Sequence, residues 1–201
     1  NEEGTLHLFD VHLYLARIAL AEKDLAQAEK WLATGKETNE TAYLRGLIHL
    51  HRGAHKKAAS CFENSLSSNE LKDSPKEILY LLGKSYLKIT DTPFLQVMEQ
   101  LLYFDKAGKI FELLFARAPT ETSILALAEY CVKRGRHLHE PTAYRRAEEL
   151  LSHPLLKNSK EATILATLLK AEIAPTYHAR DTLYLQLLDS TPLSSSYYGK
   201  E

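Results

Sequence analysis

Apolar side chains recur along this chain three and four residues apart, the spacing of one face of a helix. From Thr5 to Ala21 they fall at Leu8, Val11, Leu15, Ala16 and Ala19. After the polar turn Glu22-Lys23-Asp24 a second stripe runs through Leu25, Ala28, Trp31 and Leu32, with Gly35 placed to end it as a left-handed cap. Asn39 to Leu66 reads as two short helices folded on each other: Gly46 sits within the first, Gly53 marks the turn, and Ala58 and Phe62 mark one face of the second. Ser74-Pro75-Lys76-Glu77 has the form of a helix start with a capping box, and it opens a stripe through Leu79, Leu82, Gly83 and Tyr86. Thr92-Pro93 predicts the next start, for a long helix through Phe111, Leu114 and Phe115 to Pro119. Thr120 is expected to cap a helix with Ile124, Leu127, Ala128 and Cys131, ended by Gly135. A loop from Arg136 to Glu140 then leads to Pro141 and a helix with Ala147, Leu150 and Leu151. Beyond Pro154 a fifth pair starts near Ser159 with Ile164, Leu165, Ala166, Leu168 and Leu169, breaks at Pro175, and ends with a helix over Ala179 to Asp189. Pro192 stops that helix, and residues 191–201 read as a loose tail. With no Asn-Gly or Asp-Gly hairpin turn and no sustained alternation, the expectation is an all-α chain.

The stripes repeat. Small residues sit at the centre of each first helix (Ala16, Gly46, Gly83, Ala128, Ala166) and of each second helix (Ala28, Ala58, Ala107, Ala147 and, loosely, Ala179). Short side chains belong where two helices cross closely, so this recurrence predicts five helix pairs. The third unit carries Leu82-Gly83, Tyr86, Ala107, Phe111 and Pro119; the second has Gly46, Ala58 and Phe62; the first has Ala16, Ala28 and Leu32. This resembles the tetratricopeptide repeat (TPR), whose pattern is L-G-x2-Y, A-x3-F and P. The family's Trp position holds His12, Ala42, Leu79, Ile124 and Ala162, and Arg45 and His49 stand where the family has apolar core residues.

The resemblance implies an α-solenoid, a right-handed superhelix of about five TPR-like helix-turn-helix repeats over residues 5–36, 38–68, 74–118, 120–153 and 158–190, in one repeat domain spanning 1–201. It implies a protein-protein interaction module, a scaffold or adaptor that takes a peptide or helix of a partner in a concave groove lined by the first helices. By position, the groove residues are Leu13, Arg17, Tyr43, Leu47, Tyr80, Lys84, Lys88, Leu125 and Glu129. The family's carboxylate clamp uses Lys and Asn at such positions; Lys84 and Lys88 are present and the Asn residues are not, which favours an apolar or aromatic ligand segment. Packing between neighbouring repeats is the competing role for the tyrosines.

Charge narrows the alternatives. Lys and Arg number 25 against 26 Asp and Glu, a net charge of -1, which argues against a non-specific hold on nucleic acid. Lys133-Arg134-Gly135-Arg136, with Arg145 and Arg146, forms a local basic patch, so a helical-repeat RNA-binding component is the second reading. His49, His51 and His55, and His137 with His139 and Glu140, motivate a third, a His-dependent metal protein or enzyme, but Gly53 separates His51 from His55 and surface roles are expected for both groups. Neither a phosphate-binding loop nor a nucleophile elbow is present, so no enzyme activity, catalytic residue, metal or cofactor is expected. Cys61 and Cys131 lie in apolar helix context and read as packing residues. Apolar runs such as Ile78 to Leu82 are far shorter than the roughly 20 residues a membrane helix needs. The absence of a visible leader suggests a cytoplasmic protein, and the absence of an initial Met suggests a fragment or processed form. Leu183 and Leu187 mark one face of the last helix, while Tyr184, Leu185 and Leu188 spread apolar surface to the others; a second copy, a partner, the tail with Tyr197 and Tyr198 or residues beyond this sequence is expected to cover it, the alternative being that the long helix around Phe94 to Phe104 folds over nearby surface.

Overall fold

A computed structural model of the chain describes residues 3–66 and 71–190. Among these residues all regular structure is helical: α1 (Glu3–Ala21), α2 (Leu25–Ala33), α3 (Asn39–His51), α4 (His55–Ser65), α5 (Lys76–Ile89), α6 (Val97–Arg117), α7 (Glu121–Leu138), α8 (Pro141–Leu151), α9 (Lys160–Glu172) and α10 (Tyr177–Ser190). Single 3-10 turns cover Leu71–Asp73 and Pro154–Leu156. The packing divides into two compact units, Asn1–Leu114 and Phe115–Glu201.

Helix starts follow local chemistry. Thr38 and Thr41 bond reciprocally: the Thr38 amide donates to Thr41 Oγ1 at 2.6 Å, and the Thr41 amide donates to Thr38 Oγ1 at 3.2 Å. Thr120 and Ser123 repeat the arrangement at the start of α7, at 2.9 and 3.2 Å. Two amides that the first turn leaves unpaired are thereby satisfied in each helix. Ser159 likewise accepts from the Ala162 amide before α9. Gly53 turns the chain between α3 and α4 with φ +69°, a conformation open to glycine at little cost.

Several expected boundaries move. Gly35 takes no left-handed conformation; α2 ends at Ala33 with Thr34 as its right-handed cap. Pro75, not Ser74, is the residue before α5, and no side chain caps that start. The long helix begins at Val97 rather than near Pro93, because Phe94 takes a positive φ of 62° and holds the chain outside helical geometry. Gly135 lies inside α7, which runs on to Leu138 and stops where His139 turns left-handed at φ 54°. The expected loop from Arg136 is therefore mostly helix.

Within the first unit α1 packs on α2, α3 on α4, and α4 on α5, while α1 also touches α3. Ala16, Ala28, Ala58 and Ala107 are fully buried, and Gly46 and Gly83 are buried with them. At each glycine a phenylalanine of the following helix fills the space where a side chain would begin. A Cβ on Gly46 would lie 2.5 Å from Phe62, and one on Gly83 would lie 2.7 Å from Phe111. Both rings are fully buried, so neither can move aside. His12, at the family's Trp position, sits 5.7 Å from the ring of Trp31, so an aromatic contact survives with its large partner on the other helix. Arg45 and His49 do not enter the core: Arg45 pairs with Glu37 and reaches the Leu32 carbonyl at 3.4 Å, and His49 is half-buried.

In the second unit α7 packs on α8, α8 on α9, α9 on α10, and α7 on α9. Ala128 and Ala147 are fully buried, and an added Cβ on Gly135 would lie 2.5 Å from the Tyr144 ring. The fifth pair departs from the expected register. Ala166 and Ala179 are only half-buried, and Ala162, Leu165, Leu169, Ala171 and Leu187 supply the packed positions. Leu185 and Leu188 of α10 are 61% and 45% exposed, so the described residues do not cover that face. The tail with Tyr197 and Tyr198 lies outside the described residues.

Gly83→Ala is expected to destabilise the fold by about 1–3 kcal/mol, because its methyl overlaps a ring that cannot retreat. Urea denaturation checks this, and Phe111→Leu in the same chain should restore part of the loss; equal stability of G83A and the parent would refute the crossing.

Burial lowers the His49 imidazole below its ordinary range, helped by Lys57 and Arg52. As pH falls below about 6.5, the unfolded chain takes up this proton before the folded one does, so stability declines with acidification. His49→Gln should make that decline shallower across the same window in equilibrium unfolding series.

Candidate functional site

The residues expected to line a groove in the first unit lie on α1, α3 and α5. Ala16, Gly46 and Gly83 are buried at the pair crossings, and the residues one after each, Arg17, Leu47 and Lys84, project to another side of their helix and are less buried. Arg17 is exposed on α1 and pairs with Glu40 of α3 at 2.6 Å. Tyr43 of α3 is half-buried, with its ring 6.1 Å from Phe62. Burial raises its hydroxyl above the ordinary tyrosine range; Glu77 of α5 adds to the rise and Arg17 opposes it. The hydroxyl thus lies in the fields of groups from both α1 and α5. Leu47 packs at the margin of the core cluster of Ala16, Leu32, Leu44 and Ile48. Tyr80, Lys84 and Lys88 follow along α5, all half-buried.

Leu13 is a correction. It is 7% exposed and belongs to the core cluster with Ala16, Ala19 and Ala28, so it cannot contact a ligand. Helix α1 crosses α2 and α3 together, which brings the residue three before Ala16 inside, whereas Tyr43 at the matching position of α3 stays at the surface. Val11, Tyr14 and Ile18 form the exposed apolar stripe of α1 instead.

The sequence reading passed over Glu40 and took Glu77 only as a capping residue. Each stands three residues before a tyrosine, in Glu40-x-x-Tyr43 and Glu77-x-x-Tyr80, and each lies in the first turn of its helix. That repeated spacing was the available signal. It sets a carboxylate one turn from each ring, where the positive end of the helix dipole favours it.

In the second unit Leu125 and Glu129 are half-buried on α7. Glu129 and Lys133 approach to 3.9 Å, with each side chain 15% exposed. The basic patch is largely neutralised: Arg134 pairs with Glu140 at 2.8 Å, Arg136 with Glu172 at 2.6 Å, and Arg146 with Glu149 at 3.3 Å. Glu172 also accepts a hydrogen bond from the Tyr184 hydroxyl at 2.8 Å. Arg136–Glu172 ties α7 to α9, the other pairs are local, and together they reduce the positive field that a phosphate backbone would need.

Among the described residues no three His, Cys, Asp or Glu side chains gather as a metal site would need. Burial pushes the Cys61 thiol up, away from the thiolate that reactive cysteines require. No helix among the described residues is long and apolar enough to cross a membrane.

Comparison with protein-family models, curated proteins and solved structures returns no match.

Arg17→Ala is expected to change stability by less than about 1 kcal/mol, because its ion pair with Glu40 is solvent-exposed and screened. Thermal melts at low and high salt read this directly; a larger loss would mean that Arg17 is a packing residue rather than a surface one.

Proposed function

We propose that this chain is a protein-protein interaction module of the tetratricopeptide type, its helix pairs stacking into a right-handed solenoid. In this reading it is a scaffold or adaptor that receives a peptide or helix of a partner on the first-helix face. The observation that carries it is the recurrence of Glu40-x-x-Tyr43 and Glu77-x-x-Tyr80 on successive first helices, with Arg17 beside them. Half-buried tyrosines present large apolar area at little cost in side-chain freedom, a common property of binding surfaces. Leu47, Tyr80, Lys84 and Lys88 extend the same face, and Leu125 and Glu129 are the matching residues of α7. Arg17, paired with Glu40, and Lys84 and Glu77 of α5 supply charged groups that set register for a ligand with both apolar and charged groups.

RNA binding is the weaker reading, because the basic residues of α7 and α8 are mostly paired with acids. The exposed Leu185 and Leu188 suit a further contact through α10, with a second copy or a partner.

Affinity capture with the intact chain followed by mass spectrometry tests the function. A specific protein should be enriched, and Tyr43→Ala with Tyr80→Ala should reduce its capture at least tenfold while circular dichroism stays unchanged. Enrichment that survives both substitutions would remove this face from the site, and enrichment of RNA alone would overturn the module reading.

A further inference from the structure

Helices α2 and α3 meet along a seam that holds a small pocket of about 130 Å3. Leu32 of α2 and Ile48 of α3, both nearly inaccessible, form its inner wall. Glu29, Ala33, Arg45 and His49 line the rest.

Two polar ties cross the seam. Arg52 donates through both terminal nitrogens to the Glu29 carboxylate, one of the bonds measuring 2.8 Å. Arg45 reaches the Leu32 carbonyl at 3.4 Å and pairs with Glu37 in the link between the two helices. His49 comes four residues after Arg45 and three before Arg52, so helix geometry sets all three on one side of α3. The charged groups facing its ring are therefore Glu29 from α2, Arg45 and Arg52 from its own helix, and Lys57 from α4. Burial is the first cause that disfavours the charged ring; Lys57, Arg52 and Arg45 add to it, and Glu29 opposes them. Glu29 is already committed to Arg52. An imidazolium at His49 would be a fourth cation around that one carboxylate. It would repel both guanidinium groups and compete with Arg52 for Glu29, so the two ties weaken together.

We propose that the α2–α3 seam is an acid-released latch: protonation of His49 parts Glu29 from Arg52 and opens the pocket down to Leu32 and Ile48, while α4 and α5 stay packed on each other. A His49 ring returned to water regains its ordinary proton affinity, so the open seam holds the proton more tightly than the closed one. Opening is favoured as pH falls through about 6.5, and the effect levels off once the closed form is protonated as well. The Arg52–Glu29 pair is partly exposed and contributes little by itself, so a modest repulsion is enough to release it. The latch is independent of the first-helix face and stands whether or not that face binds a partner.

Hydrogen exchange of the intact chain, read by mass spectrometry at about pH 7.5 and about pH 5.5 and corrected for intrinsic rates, tests the inference. Peptides covering α2 and the facing half of α3 should lose protection at least about twofold at the lower pH, while those of α5, which carries no histidine, keep theirs. His49→Gln should abolish the difference. Lys57→Gln, which removes neither tie, should reduce it, because the closed ring is then less opposed to its proton. Equal protection of α2 at both pH values overturns the proposal, as does a loss undiminished in either variant. A loss shared equally by α2 and α5 would be global unfolding and would overturn local release.

Discussion

Close approach of paired helices is the constraint on which the rest of the structure depends. Two helices whose facing residues are Gly or Ala can bring a whole aromatic ring of one against the bare backbone of the other. Phe62 over Gly46 and Phe111 over Gly83 are two instances of one contact, made by successive pairs. Each contact removes a large ring from water, and burial of such a side chain is worth roughly 1.5–3 kcal/mol. It also leaves no tolerance: a single added methyl meets ring carbons at less than van der Waals distance. Tyr144 against Gly135 shows the same economy in the second unit, displaced along the helix.

Because the crossings take the apolar and small residues, charged residues are left to join helices at their margins. Arg17 to Glu40, Arg52 to Glu29 and Lys56 to Glu99 each tie one helix to another in the first unit, and Arg136 to Glu172 does so in the second. Exposed pairs of this kind contribute little stability individually. Their larger effect is on the surface potential. In α7 the cations Lys133, Arg134 and Arg136 each face an acid, which weakens the local positive field.

Helix α5 has two sides of different character. Its outward side continues the series begun by Arg17 and Tyr43, and its inward side supplies both Gly83 for the crossing with α6 and Tyr86 for a hydrogen bond to Glu63 of α4. One helix can serve both only because its turn spaces the two sets of residues apart. The polar bridge of Tyr86, Glu63 and Lys106 lets a phenol sit beside apolar packing without an unpaired hydroxyl.

Periodicity by itself determined that the described residues are helical, that about ten helices lie along them, and which small residues are buried in the first helices of the first four pairs. Those are local properties, set by spacing along one helix, and Ala16, Gly46, Gly83 and Ala128 are buried as that spacing requires. The Thr120 cap was legible for the same reason, since its partner lies three residues away. Tertiary structure alone decided that Leu13 is core while Tyr43 is surface, because burial at the edge of a stripe depends on how many neighbours cross there. It also decided that Gly135 continues a helix and His139 ends it: the Tyr144 ring from α8 fills the space at Gly135, and no local pattern records that ring. The ion pairs and the pocket between α2 and α3 were illegible because they join residues far apart in the chain, whose distances follow only from the packing of whole helices.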